Sequence, residues 1–306
     1  MNRRHFLLLF SAAAAGCTRT LPTMRDSTDS STVPEQFRPE SEPGKTLLRY
    51  QFKKGEELRW NVRNTLKMKN IIGGLEENIE TNSQAVKIWK TLDVDAAGAA
   101  TFEYRVEDID MRHAQSGNED VVYNSRRDKT IPPEFKNIEG KIGIPLAHIK
   151  IDPKGKTAKK ALKEYDGKMM ENRIVIPLPD EPVDVGSTWS ESKQIDLPQP
   201  NQTVKKIKVR HEFTIEKNHS GLAIIKFFTV VLTPLTPKEE TQLFEYYAVG
   251  TMELDLQAGH FIRQQSTIER LVVGIQGAAD SIRYQTQVTE CCCGRRACDL
   301  CGKNAA

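Results

Sequence analysis

Apolar and polar side chains alternate through most of residues 47–290, and this alternation constrains the fold more than any other feature. Near the start of this stretch, apolar residues occupy alternate positions, namely Leu58, Trp60, Val62, Leu66 and Met68. The positions between them are basic or polar, from Arg59 to Lys67. Successive side chains of a β-strand point to opposite faces of a sheet. The pattern therefore predicts an antiparallel sheet with one buried face and one wetted face.

The alternation recurs along the chain, and glycine-containing turns separate its segments. Further alternating segments begin at Val86, Phe102, Ile207 and Ile282. Turns are predicted at Gly73-Gly74, Gly98, Gly221 and Gly259. The apolar positions Ile109 and Met111 have the opposite parity to the segment before them, which predicts a β-bulge or a bend. We expect a mainly β protein, built as one extended curved antiparallel sheet or an open barrel, with one short helix at Thr157–Asn172.

A partial repeat of the pattern divides this β domain, residues 47–290, into two similar halves. Gly55 and Trp60, followed by a long hairpin, are matched later by Gly186 and Trp189 with a second hairpin. The halves would cover residues 47–173 and 174–290. We expect Trp60 and Trp189 to be buried on equivalent strands.

Residues 1–17 have the three parts of an export signal. Arg3 and Arg4 form a short basic region, an apolar run follows, and small residues precede Cys17. The apolar run is too short to span a bilayer. The paired arginines resemble the twin-arginine consensus, and the residues before Cys17 resemble a lipobox. The interpretation is a cleaved leader with lipidation of Cys17; cleavage after Ala15 without lipidation is the alternative.

Residues 18–46 are predicted to be a flexible tether. Fourteen of these 29 positions are Ser, Thr or Pro, and apolar residues are few. Such a stretch cannot bury enough surface to offset the entropy of ordering it. With Cys17 acylated, the tether would hold the β domain off a membrane, on the periplasmic or cell-envelope side.

Charge argues against nucleic acid as a partner. The formal net charge of the chain is +3, and residues 1–46 together with 291–306 account for all of it. The β domain is therefore neutral. Proteins that bind nucleic acid derive much of their affinity from neutralising phosphates.

Three further motifs carry a resemblance to a known family. They are Tyr50-Gln-Phe-Lys-Lys-Gly55, Ile151-Asp-Pro-Lys-Gly155 and the segment Leu178–Trp189. Together with the leader, they resemble a family of exported bacterial all-β domains that has no assigned function. A curved sheet on a lipid-anchored tether is also similar in architecture to half-barrel lipoproteins of the bacterial envelope. The second resemblance implies a lipid or an envelope protein as partner.

Familiar catalytic motifs are missing from the sequence. It contains neither Gly-x-Ser-x-Gly nor His-Glu-x-x-His. His211 shares the parity of apolar neighbours and is expected to be a hydrogen-bonded structural residue. The remaining candidates for acid–base chemistry are carboxylates beside the bulge, Asp108 and Asp110, or in the mid-chain loop, Asp180, Glu181 and Asp184. Loop carboxylates are usually solvated, so the interpretation favours a protein that is not an enzyme and places a hydrolase third.

The tail, residues 291–306, is unusually rich in thiols. Its cysteines are Cys291, Cys292, Cys293, Cys298 and Cys301. The last three have the spacing of some iron–sulfur ligands, and a four-cysteine zinc site is a second metal alternative. Disulfides or a flexible tail without a cofactor are the simpler interpretation in an oxidising compartment.

The sequence therefore supports two functional hypotheses. The first is a non-enzymatic, membrane-tethered β domain that binds an apolar ligand or an envelope component. The alternative is a metal or redox module that uses the C-terminal cysteine cluster, with the sheet as its scaffold.

Overall fold

The computed structural model describes residues 44–161, 175–293, 298 and 300–301. The first six strands are β1 (Glu57–Ile72), β2 (Leu75–Val94), β3 (Ala100–Gln115), β4 (Val121–Asn124), β5 (Pro145–Ile151) and β6 (Thr157–Ala161). The other six are β7 (Thr188–Pro198), β8 (Val204–His219), β9 (Leu222–Val231), β10 (Val249–Asp255), β11 (His260–Val273) and β12 (Ser281–Cys292). Helical turns occur at α1 (Pro237–Glu240) and in 3-10 helices at Pro133–Ile138 and Phe244–Tyr247.

All twelve strands belong to one antiparallel sheet. Its order is β6-β5-β3-β2-β1-β12-β11-β10-β9-β8-β7, with β4 also paired to β3. The sheet is not closed into a barrel, and β6 and β7 are its edges. The mainly β, single-sheet fold predicted from the alternation is confirmed. Strands β1 and β12 meet at the middle, so the first and last strands of the chain form a central junction.

Local sequence signals place the turns and the bulge. Gly73 and Gly74 connect β1 to β2 and both have positive φ, a conformation that glycine adopts without steric cost. In β3, Val106 pairs with Lys87 and Asp108 pairs with Val86, so Glu107 is the extra residue of a bulge. The bulge predicted from the reversed parity is confirmed.

The predicted helix is wrong over its first five residues. Thr157–Ala161 forms the edge strand β6, which pairs with β5. The backbone groups along the outer side of β5 need partners, and a strand satisfies them where a helix cannot. The rest of the predicted helix, residues 162–172, lies outside the described residues. The short α-helix of the described chain is α1, where Thr236 and Glu239 form a reciprocal capping box.

Strands from both sides of the junction share one hydrophobic cluster, which we call the main cluster. It includes Leu58, Trp60, Trp89, Phe102, Tyr104, Phe213, Ile225, Phe227, Met252, Phe261 and Cys292. A smaller distal cluster consists of Phe244, Ile268, Val272 and Tyr284. Trp60 is buried as predicted, with 4% of its surface exposed. Trp189 is half-buried on the edge strand β7, so the prediction for this residue holds only in part.

The segment Leu48–Phe52 closes one end of the main cluster, and we call it and its partners the clamp. The backbone N–H of Tyr50 donates to the carbonyl of Pro153 at 2.9 Å. The backbone N–H of Gln51 donates to the carbonyl of Gly259 at 2.9 Å. Because Pro153 follows β5 and Gly259 precedes β11, the clamp connects the two sides of the sheet.

Tyr50 is the centre of the clamp. Its hydroxyl accepts a hydrogen bond from the backbone N–H of Ile176 at 2.9 Å and lies 3.1 Å from the carbonyl oxygen of the same residue. Burial raises the pKa of Tyr50 far above its ordinary value. Gly155 packs so closely here that a Cβ atom would lie 2.1 Å from the carbonyl oxygen of Ile176.

The three motifs behind the family resemblance meet in the clamp. Besides the Tyr50–Pro153 bond, the N–H of Leu178 donates to the carbonyl of Lys154 at 2.8 Å. The indole N–H of Trp189 donates to the carbonyl of Pro177 at 2.6 Å. These motif residues therefore have structural roles. No helix in the described part of the chain has the length and apolar content needed to cross a bilayer.

Candidate binding site: a polar belt on the inner face

The face of the sheet that carries Trp60, here the inner face, has a row of polar side chains across its middle. We call this row the polar belt, and its members are Asn64, Lys87, Glu191, His211, Thr229, Ser266, Thr286 and Glu290. Along β12, Cys292 belongs to the main cluster and Tyr284 to the distal cluster. Thr286 and Glu290 lie between them on the same face. The belt therefore separates two apolar regions.

A buried ion pair crosses the central strand in the belt. Lys87 on β2 lies opposite Trp60 on β1, and Glu290 on β12 lies opposite Val62. The Nζ atom of Lys87 is 3.0 Å from the Oε1 atom of Glu290. Their side chains are 8% and 9% exposed. Both charges are removed from water, so each depends on the other for compensation.

Four polar groups near this pair lack a hydrogen-bond partner among the described residues. They are Trp60 Nε1, Asn64 Oδ1, Ser266 Oγ and Thr286 Oγ1. Ser266 is 2% exposed and Thr286 1% exposed. Leaving such a group buried and unbonded costs roughly 1–3 kcal/mol. Since buried polar groups are nearly always bonded, this concentration on β1, β11 and β12 requires an explanation.

On strands β7, β8 and β9, the side chains of the polar belt have polar partners. The Nδ1 atom of His211 and the hydroxyl of Thr229 are 2.8 Å apart. The carboxylate of Glu191 lies 3.1 Å from the ammonium group of Lys193. The prediction that His211 is a hydrogen-bonded structural residue is confirmed. The unpaired groups therefore mark the strands next to the central junction.

The outer face has an open groove of about 580 Å³ between β12, β1, β2 and the β3–β4 turn. Its cations are Lys67, Lys69 and Arg283. Each lies near a glutamate, at 3.7 Å from Glu80, 2.8 Å from Glu76 and 3.6 Å from Glu269 respectively. The groove is therefore compensated in charge, and it supports no specific ligand.

The tail cysteines come together at the end of β12. Disulfides join Cys291 to Cys298 and Cys293 to Cys301. Cys292 points to the opposite face and is buried in the main cluster. The side-chain amide of Asn61 on β1 donates to the carbonyl of Leu300 at 2.9 Å, which holds this part of the tail against the outer face.

Arg3, Arg4 and Cys17 lie outside the described residues. Among the residues that the structure describes, no group of three or more potential ligand side chains is placed to hold a metal ion. The disulfide and metal alternatives for the tail therefore involve the same cysteine sulfur atoms, which are oxidised in disulfides and would be thiolates in a metal site.

Four of the predicted acidic residues, two on β3 and two in the mid-chain loop, are used in local contacts. Asp108 pairs with Arg126, and Asp110 accepts a hydrogen bond from Asn124 at 2.6 Å. A hydrogen bond from Lys154 lowers the pKa of Asp180, and one from Ser187 lowers the pKa of Asp184. Both of these carboxyl groups are therefore ionised at neutral pH and are unsuited to donate a proton.

Sequence analysis missed the polar belt, although a signal was present. Asn64 interrupts the apolar parity of Trp60 and Leu66, and Thr286 interrupts that of Tyr284 and Val288. A polar residue in an apolar row predicts a buried polar group. The register that brings β1 beside β12 was needed to show that these interruptions are neighbours.

The class defined by the fold is an all-β protein with one open antiparallel sheet. No protein-family model and no curated relative matches the chain. Among solved structures, the chain is similar to DynF from the dynemicin biosynthesis pathway of Micromonospora chersina, at 7% identity and a TM-score of 0.21. The alignment covers 85% of this chain and 92% of DynF. At that TM-score the similarity carries no argument about function.

Proposed function

We propose that this protein is an exported, membrane-tethered, non-enzymatic β domain that binds an apolar ligand on the inner face of its sheet. The observation that carries the proposal is the set of unpaired polar groups between two apolar clusters. A face that serves only as a packed core gains nothing from them, because each one costs stability. Natural proteins keep such costs at functional sites.

The architecture favours a ligand with a long apolar body. The inner face presents the main cluster on one side of the belt and the distal cluster on the other. An elongated ligand lying across the belt would contact both clusters. The largest favourable contribution to binding would come from apolar surface removed from water.

The export part of the proposal rests on the leader and on the disulfides. Arg3, Arg4 and Cys17 supply the address and the acylation position. Disulfides persist in oxidising compartments outside the cytoplasm, and the Cys291–Cys298 and Cys293–Cys301 bonds agree with such a destination. An envelope component presented at the membrane is the corresponding partner class.

Binding is tested with the apolar fluorophore phenylnaphthylamine, titrated into the purified β domain without its leader. We expect saturable binding together with energy transfer from tryptophan to the bound probe, since Trp60 borders the belt. The variant Trp60→Phe should reduce this transfer, whereas Trp189→Phe on the edge strand should reduce it less. Fluorescence that rises linearly without saturation would contradict the proposal.

Tethering is tested by fractionating cells that express the full chain. Cys17→Ala should release the protein from membranes or block its processing. Changing both arginines to lysine, Arg3→Lys with Arg4→Lys, should stop export by the twin-arginine route. An unmodified mature N-terminus at Gly16 or later would refute lipidation, and continued export of the lysine variant would indicate the general secretory route.

A metal or redox module is the second candidate, and the convergence of Cys291, Cys293, Cys298 and Cys301 favours it. After reduction, four thiolates would be available near one another for zinc or an iron–sulfur cluster. Our expectation is that protein isolated from its native compartment carries no stoichiometric metal. Elemental analysis showing one metal ion per chain would make this candidate the leading one.

A further inference from the structure

We infer that the ligand is an uncharged amphiphile whose hydroxyl or amide group is bound by Asn64, Ser266 and Thr286. This inference rests on the proposed function, because it specifies the chemistry of a ligand on the inner face. It commits to a ligand that has a long apolar chain and a neutral group able to donate a hydrogen bond.

The strand register gathers the three side chains into one patch. Val288 on β12 lies opposite Asn64 on β1 and opposite Ser266 on β11. Thr286 is two residues from Val288 on the same face, and is diagonal to both Asn64 and Ser266. Diagonal neighbours in a sheet are separated by roughly 7–8 Å, so the three side chains surround Val288 on one face of the sheet.

Burial shows that these groups are not ordinary surface residues. Asn64 is 8% exposed, Ser266 2% and Thr286 1%. Asn64 Oδ1, Ser266 Oγ and Thr286 Oγ1 have no hydrogen-bond partner in the described chain. A ligand that supplies the missing bonds regains part of the cost of burying these groups. This recovered energy makes the ligand's polar group a determinant of specificity.

The charges around the patch exclude an ionised ligand group. Lys87 is paired with Glu290 at 3.0 Å. Farther along the same face, the guanidinium group of Arg270 is paired with Glu240 and lies 4.1 Å from the ring centroid of Tyr247. Among these described residues, a carboxylate or ammonium group at the patch would meet no opposite charge that is not already paired. Burying an uncompensated charge is far more costly than burying a neutral group.

The atom types then select among neutral groups. The Oδ1 atom of Asn64 can only accept a hydrogen bond, so it requires a donor on the ligand. The hydroxyl groups of Ser266 and Thr286 can donate or accept. A hydroxyl or an amide with an N–H can donate to the Asn64 oxygen and accept from the hydroxyl of Ser266 or Thr286. An ester has no donor and leaves the Asn64 oxygen unpaired.

Displacement of bound phenylnaphthylamine by matched competitors tests the inference. The competitors are dodecanol, dodecanamide, methyl dodecanoate and dodecanoate, which share one alkyl length and differ in the polar group. We expect dodecanol and dodecanamide to displace the probe at roughly tenfold lower concentration than the other two. In the triple variant Asn64→Leu, Ser266→Ala, Thr286→Val, the three uncharged competitors (dodecanol, dodecanamide and methyl dodecanoate) should displace the probe at similar concentrations.

A matched control comes from the same strand. Thr289 lies on the outer face of β12, and Thr289→Val should keep the full preference for alcohol and amide. A native circular dichroism spectrum and an unchanged or raised melting temperature would show that the triple variant is folded. Equal displacement by all competitors, or a preference for dodecanoate, would overturn the inference while probe binding left the proposed function standing. No binding of the probe would overturn both.

Discussion

The clamp and the polar belt belong to the same sheet but differ in whether their buried polar groups are hydrogen-bonded. In the clamp, both the hydroxyl of Tyr50 and the backbone of Ile176 are hydrogen-bonded, and Gly155 fits against them with no room for a side chain. In the belt, Ser266 and Thr286 are buried as deeply, and their hydroxyl groups have no hydrogen-bond partner among the described residues. The clamp therefore contributes stability, whereas the belt lowers it, and we assign ligand binding to the belt.

Removal of Trp60, which borders both regions, should produce the largest effect. Trp60→Ala leaves a cavity in the main cluster and should lower the free energy of unfolding by about 3–5 kcal/mol. Urea denaturation followed by circular dichroism measures this change. Trp189→Ala is the internal control, because Trp189 is half-buried on an edge strand and should cost less. Equal losses for the two variants would contradict the central position of Trp60.

A methyl group in the clamp should have the next largest effect. Gly155 has a φ of +83°, and its added Cβ would meet the carbonyl oxygen of Ile176 at 2.1 Å. Backbone strain and overpacking together predict a loss of about 2–5 kcal/mol for Gly155→Ala. Gly117 has a similar φ of +81° with open space around it. Gly117→Ala should therefore cost only about 1–2 kcal/mol.

Two threonines provide the sharpest test of how a hydrogen bond to a buried hydroxyl group affects stability within the sheet. Thr81 and Thr286 both lie opposite Leu66, one on each side of β1. The hydroxyl of Thr81 is 2.9 Å from the Nδ1 atom of His113, whereas that of Thr286 has no partner in the described chain. Thr81→Val should destabilise the protein by about 1–2 kcal/mol. Thr286→Val should leave stability unchanged or raise it by up to about 1 kcal/mol.

The smallest expected effect is a loss of stability at alkaline pH, and it originates in the clamp. Burial raises the pKa of Tyr50 in the folded state, so the folded protein retains the phenolic proton that the unfolded chain releases above about pH 10. Stability from this residue is complete below that pH and declines as the pH rises further. Denaturation midpoints measured across this range should decline more steeply for the wild-type protein than for Tyr50→Phe. Equal declines of the denaturation midpoint in the two proteins would mean that ionisation of Tyr50 does not contribute to the loss of stability.

The sequence predicted the sheet well because alternation is a local property. The antiparallel strands, the Gly73-Gly74 turn and the bulge at Glu107 all follow from residues close together in the chain. The strand at Thr157–Ala161 was missed because its sequence, Thr-Ala-Lys-Lys-Ala, lacks the apolar alternation of the other strands, although its partner β5 directly precedes it in the chain. Asn64 and Ser266 come to flank Val288 only through the β1–β12–β11 register, and the pairing of β1 with β12 is a long-range contact that no local pattern encodes.

Native mass spectrometry of protein isolated from the cells that produce it tests the central claim most directly. The account predicts a bound small molecule of amphiphilic composition, which remains in Thr289→Val and is lost from the variant Asn64→Leu, Ser266→Ala, Thr286→Val. An unliganded mass for the wild-type protein, combined with failure to bind phenylnaphthylamine, would contradict the assignment of the polar belt as a binding surface.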